Sequence, residues 1–508
     1  MESTAHSRRW TALAVIALAQ FMVIMDTSII GVALPDIRAD LGFAPGDLSW
    51  VFNAYVIAFG GLLLLGGRLS DLVGAKRVFT AGWVVLAAGS AIAGLADSTT
   101  MEIAARAIQG IGAALIAPSA LTLLMMLFGS EPKELVKALS VYGAAAPAGG
   151  TAGVFLGGVI TEWASWPWVF YVNIPVALVA LALIPSLMPA APARRGSVDV
   201  AGALTVTAGL ALAVFGIVRA PEVGWGSTET LLILTGSVVL LAGFVLIQNQ
   251  RREPLMRLSI FRTPNLGAAN LAQLLLGAAW IPMWFFLNLY LQQVLGYGAF
   301  EGGAALLPMT ATILILMVVA APRLMARVGA KPMIVGGLFV LAAGLGGLSL
   351  ARPDGSFVVD VLPASLVAAT GMALAFIPSL STAISSARPE EGGLASGIVN
   401  TGYQVGSALG LAAMTALASS QGADELGDAV ALTDGYSAAF LGAAGIAVVG
   451  AIVAAVTLRR PASASEANDE TTARPNRPGR RSAVAQAGPA SASAVGKPSR
   501  AGPTRQGL

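Results

Sequence analysis

Fourteen apolar runs, each long enough to cross a lipid bilayer, leave this 508-residue chain only one solvent to fold in. A helix rises about 1.5 Å per residue, so about 20 apolar residues cover the hydrocarbon core. The runs lie at 11–34, 49–67, 78–96, 101–125, 137–161, 167–188, 200–218, 229–247, 265–289, 302–321, 332–350, 358–380, 396–418 and 436–458. Charged residues make up 11% of the chain, about half the share in a soluble globule, and 56% is apolar. The expected fold class is an all-α polytopic membrane protein with 14 transmembrane helices. Arg8 and Arg9 ahead of the first run look like the start of a signal peptide. The run is too long for one and carries Asp26, so it reads as helix 1.

An even number of spans puts both termini on one side. With the N-terminus inside, the inner turns and helix ends up to Arg460 hold 19 Lys and Arg, and the outer turns hold three, Arg38, Arg219 and Arg352. Basic residues gather in cytoplasmic turns, so both termini are expected in the cytoplasm. Heavy use of Ala, Gly and Arg points to a bacterial gene of high G+C content and hence to the bacterial cytoplasmic membrane. Residues 459–508 turn to Ala, Ser, Pro and Arg and are expected to be a disordered cytoplasmic tail, having little to bury. Its seven basic residues after Arg460 either rest on anionic headgroups or stay solvated.

Two internal echoes give the helices an order. Arg68-Leu69-Ser70-Asp71-Leu72-Val73-Gly74-Ala75-Lys76 returns 255 residues later as Arg323-Leu324-Met325-Ala326-Arg327-Val328-Gly329-Ala330-Lys331, with six of nine positions matching. Gly149, Gly153 and Gly157, four apart in helix 5, are answered by Gly402, Gly406 and Gly410 in helix 13, at an offset of 253. Glycines at this spacing make a smooth stripe on which a second backbone packs closely. Both echoes are displaced by eight helices. The expected organisation is a short N-terminus (1–10), a six-helix bundle (11–188), an inserted pair (200–247), a second six-helix bundle (265–458) and the tail. Duplicated helical halves with a site at their midplane are a transporter architecture.

Charge inside a span is costly and marks a cavity, a partner or a substrate. Asp26 lies about eight residues short of the outer end of helix 1, roughly 12 Å, and Arg106 about five residues into helix 4, roughly 8 Å, so the two are able to meet in the outer half. Desolvation and a nearby guanidinium pull a carboxyl group's proton affinity in opposite directions, so small changes in hydration or distance move it through neutrality. Arg106 cannot give up its own proton and would be the fixed charge. Two readings stand: a proton-coupling site, or a permanent pair that only joins helices 1 and 4. Gln20, Asn53, Tyr55, Gln109, Asn173, Asn288, Asn400 and Gln404 are candidates to line a substrate cavity, with bridging between helices as the alternative. Trp280, Trp284 and Tyr290 at the outward end of helix 9 read as an interfacial aromatic belt rather than a stacking wall for cargo.

These stretches resemble the major facilitator superfamily, and within it the fourteen-helix drug:proton antiporters of the EmrB/QacA type. Gly67-Arg68-Leu69-Ser70-Asp71-Leu72-Val73-Gly74-Ala75-Lys76-Arg77 is similar to the loop 2–3 signature, and Arg106-Ala107-Ile108-Gln109-Gly110-Ile111-Gly112 to that of helix 4. Asp26 to Pro35, Trp166 to Pro175 and Ala395 to Thr401 resemble motifs of the fourteen-helix branch. The resemblance implies that Asp26 is the proton or substrate carboxylate and Arg106 its relay partner. It also implies that Gly67, Asp71, Gly74, Lys76 and Arg77 form a cytoplasmic gate, with Asp71 latching onto the start of helix 11. Gly149, Gly153, Gly157 and Gly158 stand where the antiporter signature of helix 5 lies, with Val154 in place of its usual proline. Gly31 replaces a usual asparagine and Pro167 an arginine. Glu301 stands at the edge of helix 10 rather than within it, which argues against divalent cationic cargo.

The chain has no cysteine, and its one histidine, His6, is in the N-terminal segment, which removes disulfides, Cys/His metal sites and histidine catalysis. No Gly-x-x-x-x-Gly-Lys-Ser/Thr loop cradles a nucleotide, and the dispersed basic residues form no nucleic-acid surface. No enzyme activity, cofactor or metal is expected, and the partners are protons, the bilayer and a small lipophilic cargo, acting on a monomer. Export of amphipathic molecules such as antibiotics against inward protons leads. A dedicated exporter of one metabolite or self-made antibiotic follows, and a non-transporting membrane sensor is the remote alternative. Because no native cysteine competes, Ser356→Cys between helices 11 and 12 is expected to react with a membrane-impermeant maleimide on intact cells. Ser130→Cys between helices 4 and 5 is expected to react only after permeabilisation; the opposite pattern overturns the orientation.

Overall fold

The computed structural model describes residues 2–190 and 199–459, except 253, 256, 260–262 and 388–391. The long helices are α1 (Glu2–Leu41), α2 (Trp50–Leu69), α3 (Ala75–Gly94), α4 (Thr99–Phe128), α5 (Pro132–Trp163), α6 (Asn173–Leu187) and α7 (Val200–Val223). They continue as α8 (Thr228–Gln250), α9 (Leu266–Leu289), α10 (Ala299–Ala320), α11 (Ala330–Leu348), α12 (Phe357–Ser386), α13 (Gly392–Ser419) and α14 (Ala429–Thr457). Among the described residues 13 helices are long and apolar enough to cross a membrane, and the chain is a multi-pass membrane protein. The fourteenth of the sequence count is α13, 28 residues long. Its Asn400, Thr401, Tyr403, Gln404 and Ser407 dilute its apolar character, which it tolerates because it packs among α2, α7, α9 and α14 rather than against lipid alone.

Packing repeats with a displacement of eight helices. α1 lies on α5 as α9 lies on α13; α3 on α4 as α11 on α12; α3 on α6 as α11 on α14. Contacts across the middle repeat as well, α2 with α13 and α10 with α5. The inserted α7 and α8 pack on each other, and α7 leans on α2 and α13. α8 leaves Leu231, Leu232, Val238, Val239, Val245 and Leu246 exposed, as a helix facing lipid does. The expected tail from residue 460 on, together with Arg194, Arg195, Arg262 and Arg388 of the basic turns, lies outside the described residues.

The glycine stripes do what their spacing predicts. A Cβ on Gly149, Gly153 or Gly157 would strike the α1 backbone at Phe21, Met25 or Ile29 in turn. One on Gly406 or Gly410 would strike α9 at Leu274 or Ala278, and one on Gly402 the Asn270 side chain. Lipid supplies no hydrophobic drive for helices to associate, so this close backbone approach, multiplied over three turns, is what joins each pair.

The expected basic loop 2–3 is a helical corner. α2 passes into a π turn at Ser70–Gly74, and α3 starts at once from Gly74, whose φ of 101° suits glycine alone. Its echo, Gly329, takes a φ of 83° before α11. The next residue but one repeats a second device. Lys76 Nζ donates to Pro185 O at 2.8 Å and Met188 O at 3.1 Å, and Lys331 Nζ donates to Leu458 O at 2.6 Å. Each ammonium thus satisfies orphan carbonyls at the C-terminus of the last helix of its half, α6 or α14, where a positive charge is favoured.

At the end of the molecule opposite those corners, the aromatic residues depart from expectation. Trp280, Trp284 and Tyr290 are buried, with Trp284 7% and Tyr290 1% exposed, and form no interfacial belt. Trp284 sits against Gly31 of α1, and its ring centroid is 5.8 Å from that of Phe52 on α2. Phe285 also meets Phe52 at 5.8 Å, and Gln292 Nε2 donates to Val32 O at 3.0 Å. The absent side chain at Gly31 is what lets the indole in. Burial between helices of the two halves removes more of the Trp284 ring from water than a headgroup position does.

Replacing Gly406 by valine is expected to force α13 off α9, costing about 1–3 kcal/mol as an overpacked contact does, and to lower the unfolding temperature of the detergent-solubilised protein. Gly445→Val, where nothing lies within 4 Å of the new Cβ, is expected to leave it in place. Equal loss in both variants overturns the role of the stripe.

Candidate functional site

Five helices of the first half send polar side chains to one point. Arg106 Nη1 donates to Asp26 Oδ2 at 2.7 Å, and both side chains are fully buried. Gln109, three residues on and so on the same face of α4, accepts from Arg106 Nη1 at 2.7 Å through Oε1 and donates to Asp26 Oδ1 at 3.1 Å. Asn173, the first residue of α6, donates to Asp26 Oδ1 at 2.7 Å. Ser90 of α3 accepts from Gln109 at 2.8 Å and from Asn173 at 3.1 Å. Arg106 Nε donates to Val51 O at 2.9 Å, and its guanidinium carbon lies 4.6 Å from the Tyr55 ring centroid and 5.9 Å from that of Phe170. Tyr55 in turn donates to Val23 O at 3.2 Å.

Such a site obeys the rule for charge in hydrocarbon: a buried ion is tolerated only when paired and hydrogen-bonded. Asp26 receives three hydrogen bonds, all from donors fixed on other helices. The guanidinium is held by a carboxylate, an amide oxygen and a peptide carbonyl, with an aromatic face beside it.

The structure brings Asp26 and Arg106 together, and of the cavity candidates it places Tyr55, Gln109 and Asn173 beside them as buried side chains that bridge helices. The remaining candidates scatter. Gln20 accepts from Tyr142 of α5 at 2.8 Å, which bridges helices. Asn288 is buried and donates to Trp284 O of its own helix at 2.8 Å. Gln404 presses its Cβ against Gly60 of α2, and Asn400 is partly buried on the same α13. Asn53 is fully buried and has no hydrogen-bond partner for either amide atom among the described residues. Of the gate, Gly67 lies against Pro118 of α4, Gly74 and Lys76 build the corner described above, and Arg77 is exposed. The side chain of Asp71 lies outside the described residues. Gly158 faces away from α1 and meets Ala299 and Phe300 of α10. Glu301 is exposed and its carboxylate accepts from Gly298 N at 3.4 Å, as a cap for α10.

Two members escaped sequence reasoning. Ser90 gives no signal, being one hydroxyl in an apolar run. Glu102 is the second residue of the expected run 101–125, where it reads as a solvated end. The helix begins three residues before it, at Thr99, and Glu102 is fully buried.

Comparison with known proteins agrees with the architecture. The sequence profile of the Major Facilitator Superfamily matches residues 16–411. A cephamycin export protein of Amycolatopsis lactamdurans is 40% identical over 89% of this chain and 93% of that protein. A puromycin resistance protein of Streptomyces alboniger is 35% identical over 91% of this chain and 93% of its own length. Among solved structures, the nucleoside transporter NupG superposes with a TM-score of 0.62 at 13% identity, covering 88% of this chain and 99% of that one.

Removing one partner of a buried pair leaves the other charge uncompensated. Arg106→Ala is expected to destabilise the solubilised protein by about 3–5 kcal/mol, whereas Arg106→Met combined with Asp26→Leu recovers most of that loss. Thermal unfolding checks both, and a double variant no more stable than the single one overturns the charge-pair account.

Proposed function

The chain belongs to the major facilitator superfamily, and on that premise we propose that it exports small amphipathic molecules, such as antibiotics or other drugs, against an inward flow of protons. The reading rests on one observation, the burial of Asp26 among donors. A carboxylate accepts at both oxygens, but a carboxylic acid must donate from one of them. The groups around Asp26, a guanidinium and two amide NH2 groups, are donors at the contact. A proton on Asp26 therefore breaks at least one tie between α1 and α4 or α6. That tie is the link from protonation to helix movement. Arg106 keeps its charge throughout and sets the affinity of Asp26 for the proton.

The six-helix units 11–188 and 265–458 are the proposed moving bodies, with 200–247 accompanying them. α1 lies at the boundary of both. It rides on the α5 glycines and covers Trp284 of α9 through Gly31, so a shift in α1 is felt across the outer seal. Gly67, Asp71, Gly74, Lys76 and Arg77 are proposed to gate the cytoplasmic side, with both termini there and the protein acting as a monomer. One proton crossing 100 mV releases about 2.3 kcal/mol, enough for roughly fifty-fold accumulation of cargo.

A second reading, export of one dedicated metabolite, is favoured by the relatives, which are named for single antibiotics. The mechanism is the same, and breadth of cargo separates the two.

In everted vesicles with an inside-acid gradient, cargo added to the wild type is expected to collapse the gradient, and Asp26→Asn, present at equal level, to reduce that collapse at least ten-fold. A variant that keeps the wild-type rate overturns the coupling role of Asp26.

A further inference from the structure

Glu102 is the buried titratable group that the mechanism above leaves unused. It lies one turn ahead of Arg106 on the same face of α4, fully buried, and neither carboxyl oxygen has a hydrogen-bond partner among the described residues. Arg106 is also incomplete: Nη1 and Nε are engaged, and Nη2 is buried without a partner. An unpaired acid and an unpaired donor on one helix face, within one cluster, are a costly arrangement unless their use alternates.

Charge counting gives the alternation. The site holds one fixed positive charge and two carboxyl groups. With Asp26 ionised and paired with Arg106, an ionised Glu102 would leave a net negative charge in a site closed to water, so Glu102 holds a proton. Were Asp26 to take that proton, the guanidinium would lose its anion and Glu102 would supply the new one through the free Nη2. Both arrangements are neutral. We propose that Glu102 is a second seat for the one exchangeable proton of the cluster, shared with Asp26 through Arg106, and is the outer stop of the proton path. In the transfer the O–H bond of Glu102 breaks, an O–H bond forms on Asp26, and the ion pair passes from Arg106–Asp26 to Arg106–Glu102; no charge is created or lost.

Position supplies the direction. Glu102 stands in the first turn of α4, after exposed Asp97 and Ser98, about 6 Å closer to that end than Arg106 by helical rise. The charged groups acting on it are Arg106 of its own helix and Asp26 of α1, with Tyr55 of α2 beside both. On neighbouring segments, Asp47 and Asp97 are exposed, and Tyr171 donates to Gly94 O at 2.6 Å. The proposal rests on the proton-coupled reading only for its direction; the sharing of the proton is a property of the buried cluster.

Infrared spectroscopy of the full-length protein in liposomes tests it without any cargo. The wild type at neutral pH is expected to show the C=O band of one buried protonated carboxyl group, which is lost in Glu102→Gln and displaced in Glu102→Asp. In Asp26→Asn, where Arg106 needs a new anion, the band is expected to vanish as Glu102 ionises. A band that survives in Glu102→Gln, that is missing from the wild type, or that persists in Asp26→Asn overturns the proposal. Monodisperse elution of each variant confirms folding. Because no transport is read, failure of the vesicle assay with Asp26→Asn strikes the antiport reading alone, and an unshared proton strikes this one alone.

Discussion

A guanidinium inside hydrocarbon has to be answered by an anion and by acceptors, and much of the first half is arranged to give Arg106 both. α1 supplies the carboxylate, α2 a peptide oxygen and an aromatic face, and α4 an amide oxygen. α3 and α6 then hold the amides that complete Asp26. Removing water makes every one of these bonds stronger and makes their loss more costly. The cluster is thus a lock on the relative positions of five helices.

The two halves share a scaffold but not this chemistry. Helix pairing, the glycine stripes, the positive-φ glycine before α3 and α11, and the lysine that finishes α6 or α14 all recur. Among the described residues the fully buried charged side chains, Asp26, Glu102, Arg106 and Asp199, all precede α9. Among the described residues of the second half, those buried as a whole that are polar are uncharged, such as Gln273, which donates to Phe376 O at 3.0 Å, and the one nearly covered carboxylate, Asp360, is paired with the exposed Arg352. Duplication therefore preserved the features that let helices pack in lipid, which each copy needs equally. Charge was free to differ because packing in lipid does not require it.

How much was legible follows from which forces leave a local trace. Glycines four apart, a charge in an apolar run and a basic turn are statements about single helices in a membrane, and each appears directly in the letters. Asp26 and Arg106 announced themselves because both lie more than one turn inside an expected apolar run. Glu102 did not, because its status depends on whether α4 begins at 99 or 101, a margin finer than hydropathy resolves. Trp280 and Trp284 misled for a related reason. Aromatic residues near a helix end fit a headgroup belt, and only the tertiary contact with Gly31 and Phe52 shows that another helix covers them. The scattering of Gln20, Asn288 and Gln404 has the same cause, since the direction a polar side chain faces is set by neighbours that the sequence does not place.

The link between the site and the moving parts lies in α1. Asp26 is flanked by the residues that α5 grips: Met25 and Ile29 are where Gly153 and Gly157 approach, and Gly31, further along the same helix, admits Trp284. A helix held by backbone contact on glycine can slide or rotate with little rearrangement of side chains, because few side chains interlock along that seam. Its position is then decided by the polar ties at Asp26, which are few and strong and which the proposed function makes dependent on one proton. Had α5 gripped α1 with large interdigitating residues, breaking one hydrogen bond would move nothing. In the proposed mechanism the smooth stripe and the donor-only surroundings of Asp26 are therefore two parts of one device: the first leaves α1 free to move, and the second makes a proton the thing that frees it.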